Sequence, residues 1–205
     1  MTDVVVGEDG RARCRWGSST PEHRAYHDEE WGRPVGDDDA VFELLCLEGF
    51  QAGLSWRTVL RKREGFRAAF ASFEPAVVAR FGDGDVERLV ADDRIIRHRA
   101  KIAATVANAR ATMALRAEEV SLAGLVWAHR PEAARAPERL SDVPASTPES
   151  KALSGALRRR GFAFVGPTTV YAALQALGVV NDHLVGCHRR QAVEDERAAF
   201  VVPTR

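Results

Sequence analysis

A chain of 205 residues with 45% hydrophobic and 28% charged side chains has enough apolar material for one well-buried domain. Disorder needs low hydrophobicity with high net charge, and a collagen- or silk-like fibre needs far more than 16 Gly and 9 Pro, so both are excluded. The 29 basic and 29 acidic residues cancel, which excludes a global positive field and leaves any nucleic-acid surface to local clusters of bases.

Residues 1–12 read as a flexible extension. Their sequence, MTDVVVGEDGRAR with the next residue, lacks the basic stretch running into an apolar core that a signal peptide needs. No run approaches the roughly 20 apolar residues of a membrane span, so a cytoplasmic protein with no membrane partner is expected. Helical spacing runs almost throughout, and strand alternation is confined to Phe162, Phe164 and Val165, so the predicted class is all-α. The aspartates at 37–39 cap a helix reaching about Gly49. Its near-continuous apolar run (Val41, Phe42, Leu44, Leu45, Cys46, Leu47) predicts burial on most sides. A second helix is expected over 51–63, a short one over 75–81 opened by Pro75, and an amphipathic one over 85–91 with Val86, Leu89 and Val90 inward. A long helix over 96–115 carries Ile102, Thr105, Val106 and Ala109 on one face. The stretch 130–148, with four prolines, reads as a connection ending in the cap signal Ser146-Thr147-Pro148-Glu149. Helices then run to about Arg160, stopped by Gly161, and over 168–177, stopped by Gly178, with a last short helix over 181–188 and a tail over 190–205. Neither side of the prolines is apolar enough to stand alone, so 1–205 is expected to be a single domain.

Three cysteines do not make a disulfide framework and leave burial or metal ligation. His183 and Cys187, at i and i+4, would project from one face of a helix. Cys14 and His27 supply the other half of a possible Zn²⁺ set near the opposite end of the chain, and a closed four-ligand site of this kind stabilises rather than catalyses. The alternative is a buried Cys beside a hydrogen-bonded His, with His23 and His188 as substitute ligands and Cys46 as packing. Trp16, Trp31, Trp56 and Tyr26 form either an aromatic core or the stacking surface for an extruded base. Glu48 lies on the stripe of Val41, Leu44 and Leu45, where an unpaired carboxylate is costly to bury, so it calls for an internal partner or a ligand carrying donors or positive charge. Bases gather at 57–67, 94–101 and 158–160, either on one face or as separate solvated surfaces. The segment ADDRIIRHRAK (91–101) between two helices suits a hairpin that aims N–H groups and basic side chains at phosphates, although Arg94 stands where such turns favour Gly.

In order along the chain stand Arg13-Cys14-Arg15-Trp16, Ala25-Tyr26-His27-Asp28-Glu29-Glu30-Trp31-Gly32, Cys46-Leu47-Glu48-Gly49, Gln51-Ala52-Gly53-Leu54-Ser55-Trp56, Ile95-Ile96-Arg97-His98-Arg99, Arg160-Gly161-Phe162 and Asn181-Asp182-His183. With these blocks the chain resembles the bacterial DNA-3-methyladenine glycosylase I family from about Cys14 to Cys187. The resemblance implies an all-α helix-hairpin-helix glycosylase whose structural Zn²⁺, bound by Cys14, His27, His183 and Cys187, joins the N- and C-terminal segments. It implies that Trp56 stacks on the extruded base, that Glu48 and Tyr26 make its polar contacts, and that Trp16 and Trp31 line the walls. Gly53 and Leu54 would press into the duplex, and Arg97 and Arg99 would face its phosphates. The expected activity is monofunctional hydrolysis of 3-methyladenine from alkylated double-stranded DNA, by a monomer. Residues 97–117 contain no Asp or Glu, in keeping with a family that lacks the usual catalytic aspartate. Lys101 lies beyond the hairpin, so no Schiff-base lyase chemistry is expected. The rival readings are a non-catalytic zinc-stapled DNA-binding protein and a helical small-molecule enzyme.

Overall fold

Polar caps and first-turn prolines start most of the helices. Thr20, Asp37, Ser55, His98, Ser121 and Thr147 each accept a hydrogen bond from a backbone N–H of the first turn they precede. The computed structural model describes residues 3–132 and 135–203; the parts of the readings for 1–12, 130–148 and 190–205 that fall on 1–2, 133–134 and 204–205 lie outside the described residues. The helices are α1 (Pro21–Glu29), α2 (Asp38–Gln51), α3 (Trp56–Leu60), α4 (Arg63–Ala69), α5 (Pro75–Val78), α6 (Asp83–Ala91), α7 (Arg99–Ala117), α8 (Leu122–Trp127), α9 (Pro148–Arg159), α10 (Pro167–Ala176) and α11 (Arg190–Ala199). The fold is all-α apart from a two-stranded ribbon, and no helix among the described residues is long and apolar enough to cross a membrane.

The apolar run in α2 makes it the central element. Val41, Phe42, Leu45, Leu47 and Phe50 are buried, and α3, α7, α8 and α10 pack around it. The predicted inner face of α7 is also found, with Ile102, Thr105, Val106 and Ala109 all buried. The helices α6 and α7 form a hairpin through residues 92–98, and the turn departs from a glycine-type geometry. Arg94 is not among the described residues with left-handed backbone. Asp92 shapes the turn instead, accepting the Arg94 N–H at 3.0 Å and its guanidinium at 2.9 and 2.7 Å. Lys62 Nζ secures the same turn by donating to the carbonyl of Asp93.

Several expected elements need correction. The helix over 51–63 does not form: α2 ends at Gln51, Gly53 turns the chain at φ +80°, and Ser55 caps a new short helix. The end of α2 is fixed by Lys101 Nζ, which donates to the carbonyls of Phe50 and Ala52 at 2.8 and 2.5 Å. The segment 181–188 is a pair of turns, not a helix, because its polar groups bond elsewhere. His183 N–H donates to the Asn181 side chain, Leu184 N–H donates to Cys14 Sγ, and Arg190 donates to the carbonyls of Asn181 and His183. Where a tail was expected the chain forms α11, whose Val193 is buried. In place of a flexible extension, β1 (Val4–Val6) pairs antiparallel with β2 (Ala12–Cys14), and the carbonyl of Ala12 accepts from His188 N–H. The Phe162, Phe164, Val165 patch is a loop, not a strand. The helices α1, α4, α8 and α11 have no counterpart in the sequence expectations.

Candidate active site and metal centre

The end of β2, the last turn of α1 and the 181–188 turns converge on one buried point. There Cys14 Sγ, His27 Nε2, His183 Nδ1 and Cys187 Sγ all lie within 4.8 Å of one another. Cys187 Sγ is 3.5 Å from each imidazole nitrogen, and Cys14 Sγ is 4.0 Å from His183 Nδ1. A tetrahedral ion with bonds of about 2.3 Å to sulfur and 2.0–2.1 Å to nitrogen has S–N edges of about 3.5 Å, the spacing that Cys187 makes and one that Cys14 reaches by closing in a few tenths of an ångström on His183, so the donor set fits a metal ion. The outer ring nitrogens are held as ligating histidines usually are. His27 Nδ1 lies 2.8 Å from Asp28, and His183 Nε2 lies 3.1 Å from the Trp31 carbonyl. Asp28 is anchored in turn by buried Arg13 and by His188. Against the burial that raises it, these hydrogen bonds hold the Asp28 carboxyl well below its usual range. The two substitute ligands are thereby placed elsewhere: His188 on Asp28, and His23 on Ser19 Oγ at 2.7 Å. Cys46 is buried in α2 beside Asn108, with its thiol pushed up to about 12 by burial.

Beside this centre opens a cavity of about 300 Å³. The sequence-predicted Trp16, Tyr26, Trp31, Glu48 and Trp56 all line it, so α1, α2, α3 and the turns on either side of α1 bring the dispersed aromatics to one carboxyl group. Trp16 and Trp31 meet edge to face at 4.9 Å, and the Tyr26 ring lies 5.2 Å from that of Trp56. Glu48 is 5% exposed and its Oε2 has no hydrogen-bond partner among the described residues; burial lifts its carboxyl to about 8. Trp56 Nε1 is likewise buried and without a partner among the described residues. Buried polar atoms of this kind are costly in a finished fold, so the cavity presents an acceptor or acid at Glu48 and a donor at Trp56 to whatever fills it. Burial also raises the Tyr26 phenol, which stays protonated as a donor.

The remaining predicted residues lie outside the cavity. Gly53 and Leu54 form the exposed tip of the loop between α2 and α3, with Leu54 44% exposed. Arg97 is exposed in the hairpin and has no partner among the described residues, whereas Arg99 is held by both carboxylate oxygens of Glu87 on α6. Six wall residues have no counterpart among the sequence-predicted site residues: the apolar Leu140, Val143 and Ala172 and the polar Gln51, Gln175 and Asp182. Asp182 Oδ2 accepts from Tyr171 Oη at 2.6 Å and Gln175 Nε2 at 2.8 Å. Its place beside His183 in a motif block was the available signal. Lys101 was also missed as the anchor of the loop that carries Leu54.

Residues 16–190 match the family model described as methyladenine glycosylase. The DNA-3-methyladenine glycosylase 1 of Escherichia coli (strain K12) is 52% identical over 178 residues, covering 85% of this chain and 95% of the relative. A DNA-3-methyladenine glycosylase of Haemophilus influenzae is 44% identical over 85% of this chain and 96% of its own. Among solved structures, a 3-methyladenine DNA glycosylase I superposes with a TM-score of 0.83 at 49% identity, over 86% of this chain and 98% of that one. The Staphylococcus aureus enzyme, solved for the structural basis of 3-methyladenine recognition, superposes at 0.82 with 35% identity, over 87% and 96%.

Proposed function

The chain belongs to the methyladenine glycosylase family, and from that premise we propose that it hydrolyses the N-glycosidic bond of 3-methyladenine in alkylated double-stranded DNA and leaves an abasic site. The observation that carries this reading is the aromatic cavity with a buried, unpartnered carboxyl at Glu48 and an unpartnered indole N–H at Trp56. Methylation at N3 makes adenine cationic, so the base departs neutral and the bond needs little acid catalysis. What the site supplies is selective binding of the extruded base. The ring of Trp56 stacks on it, while Glu48 accepts from its amino group and Tyr26 donates to it. Trp16 and Trp31 close the walls and exclude solvent. Asp182 adds a second acidic side chain to the wall beside Glu48, which favours a cationic occupant over neutral adenine. Water is the nucleophile. Lys101 Nζ, the lysine beside the loop that carries Leu54, is committed to two backbone carbonyls and so is not free to form a covalent intermediate.

Cys14, His27, His183 and Cys187 would hold one Zn²⁺, and four protein donors would give it a role in structural stabilisation rather than in the chemistry. Gly53 and Leu54 press into the duplex at the vacated position, and Arg97 reaches a phosphate. Arg99 has first to exchange Glu87 for one. One chain carries the whole cavity and the whole Cys/His group, which supports action as a monomer and as one domain. Its three unbridged cysteines suit the reducing cytoplasm.

The test is to incubate the zinc-loaded protein with methylated genomic DNA and chromatograph the released bases. Release of 3-methyladenine is expected, and Glu48→Gln should slow it roughly ten- to hundredfold, the worth of a hydrogen bond to a charged group. No release by folded protein that still binds DNA would favour the non-catalytic DNA-binding reading, and unchanged release by Glu48→Gln would remove the carboxyl from the mechanism.

A further inference from the structure

Phe164 is exposed by a backbone that would ordinarily be avoided. Its φ of +57° lies in the left-handed region, where a bulky residue is a true outlier. Phe73 has a similar φ of +56°, but its ring is fully buried against Phe70 and Phe42, which accounts for the strain. The Phe164 ring remains 39% exposed while its neighbours Phe162 and Val165 are buried. The surrounding loop enforces this arrangement. Asn108, buried on α7, both donates to the carbonyl of Ala163 and accepts from its N–H, at 3.2 and 2.7 Å. Ser154 on α9 donates to the carbonyl of Val165 at 2.6 Å. Strain that the surroundings over-determine without burying the side chain is the kind found at functional positions.

The place of the ring indicates its partner. A Cβ on Gly49 would stand 3.3 Å from that of Phe164, so the loop lies directly on α2 one residue after Glu48. The ring meets that of His98, the cap of α7 in the hairpin, edge to face at 6.3 Å. Phe164 therefore sits between the cavity helix and the hairpin. Two exposed cations without partners among the described residues belong to the segments that surround it: Arg97, next in the chain to His98, and Arg158, whose guanidinium lies 3.7 Å from where a Cβ on Gly166 would stand. An apolar ring among unpaired cations complements a nucleotide, with its π-face and phosphate, better than a protein partner or a membrane.

We propose that Phe164 is a second apolar contact to the duplex besides Leu54, its ring packing on a nucleotide next to the extruded base. The inference rests on the glycosylase reading above. It is tested with a duplex carrying a tetrahydrofuran abasic-site analogue, using Phe164→Gly, which relieves the left-handed strain, and Phe164→Asn, which tolerates it. Both variants should melt no lower than wild type and bind free 3-methyladenine as wild type does. Both should lose duplex affinity by about tenfold or more, the worth of one stacking contact. The slope of log affinity against log salt should not change, because no phosphate contact is removed. Phe164→Trp should restore binding. Folded Gly and Asn variants that bind the duplex within about twofold of wild type would overturn the proposal. Wild-type protein that releases no 3-methyladenine would instead remove the glycosylase reading, and this inference with it.

Discussion

At Glu48 one carboxyl couples recognition to pH. In the unfolded chain it titrates near 4.5, and in the fold near 8 because of its burial. Between those values the unfolded chain releases a proton that the folded protein keeps, so stability declines as pH rises and the loss is complete above about 8. The slope approaches about 1.4 kcal/mol per pH unit for a single group. Glu48→Gln has no proton to release, so urea denaturation across about pH 5 to 9 should show the wild type losing a few kcal/mol more than the variant. Parallel curves would mean that the carboxyl is ionised and partnered in the fold. The stripe of Val41, Leu44 and Leu45 marks Glu48 as misplaced from sequence alone. Its lack of a partner depends on which side chains α1, α3 and α10 bring alongside, and that is not legible locally.

The loop between α2 and α3 shows how an element boundary is set from a distance. Local spacing allows helix beyond Gln51, and what stops it is Gly53 together with Lys101, a residue about fifty positions later that ties down the last carbonyls of α2. Lys101→Met should cost about 1.5–3 kcal/mol, the worth of charged hydrogen bonds to otherwise unmet carbonyls, and should weaken DNA binding through a looser Leu54 loop. Thermal melting and a duplex titration check both, and full retention of both would refute the anchoring role. Wild-type protein treated with borohydride during turnover should trap no protein–DNA adduct, and a trapped adduct would restore lyase chemistry. The helices with strong terminal signals, such as those capped by Asp37 and Thr147, were legible to within a few residues. The turns at 181–188 were not, because Asn181 and Arg190 satisfy there the backbone groups that a helix would use.

The molecule as a whole is closed on itself at the Cys/His centre, where residues as far apart as Cys14 and His183, 169 positions away, approach within 4.0 Å. Atomic absorption should find one Zn²⁺ per chain. Cys187→Ser should lose it and lower the melting temperature by roughly 10 °C, as expected if about 3–4 kcal/mol of binding energy is removed from a domain of this size. A metal-free wild type of equal stability would refute the staple. The sequence by itself determined the helical class, the helix starts that carry a strong cap or first-turn proline such as Asp37, Pro75 and Thr147, the four Cys and His candidates and the aromatic residues of the cavity, because caps, apolar period and donor chemistry are properties of neighbouring residues. Only the tertiary structure decided that the two Cys/His pairs meet, that Arg99 is occupied by Glu87 while Arg97 is not, that Asp182 joins the wall, and that Phe164 is held outward. Each of these depends on distances between segments remote in the chain, which packing sets and local pattern does not encode.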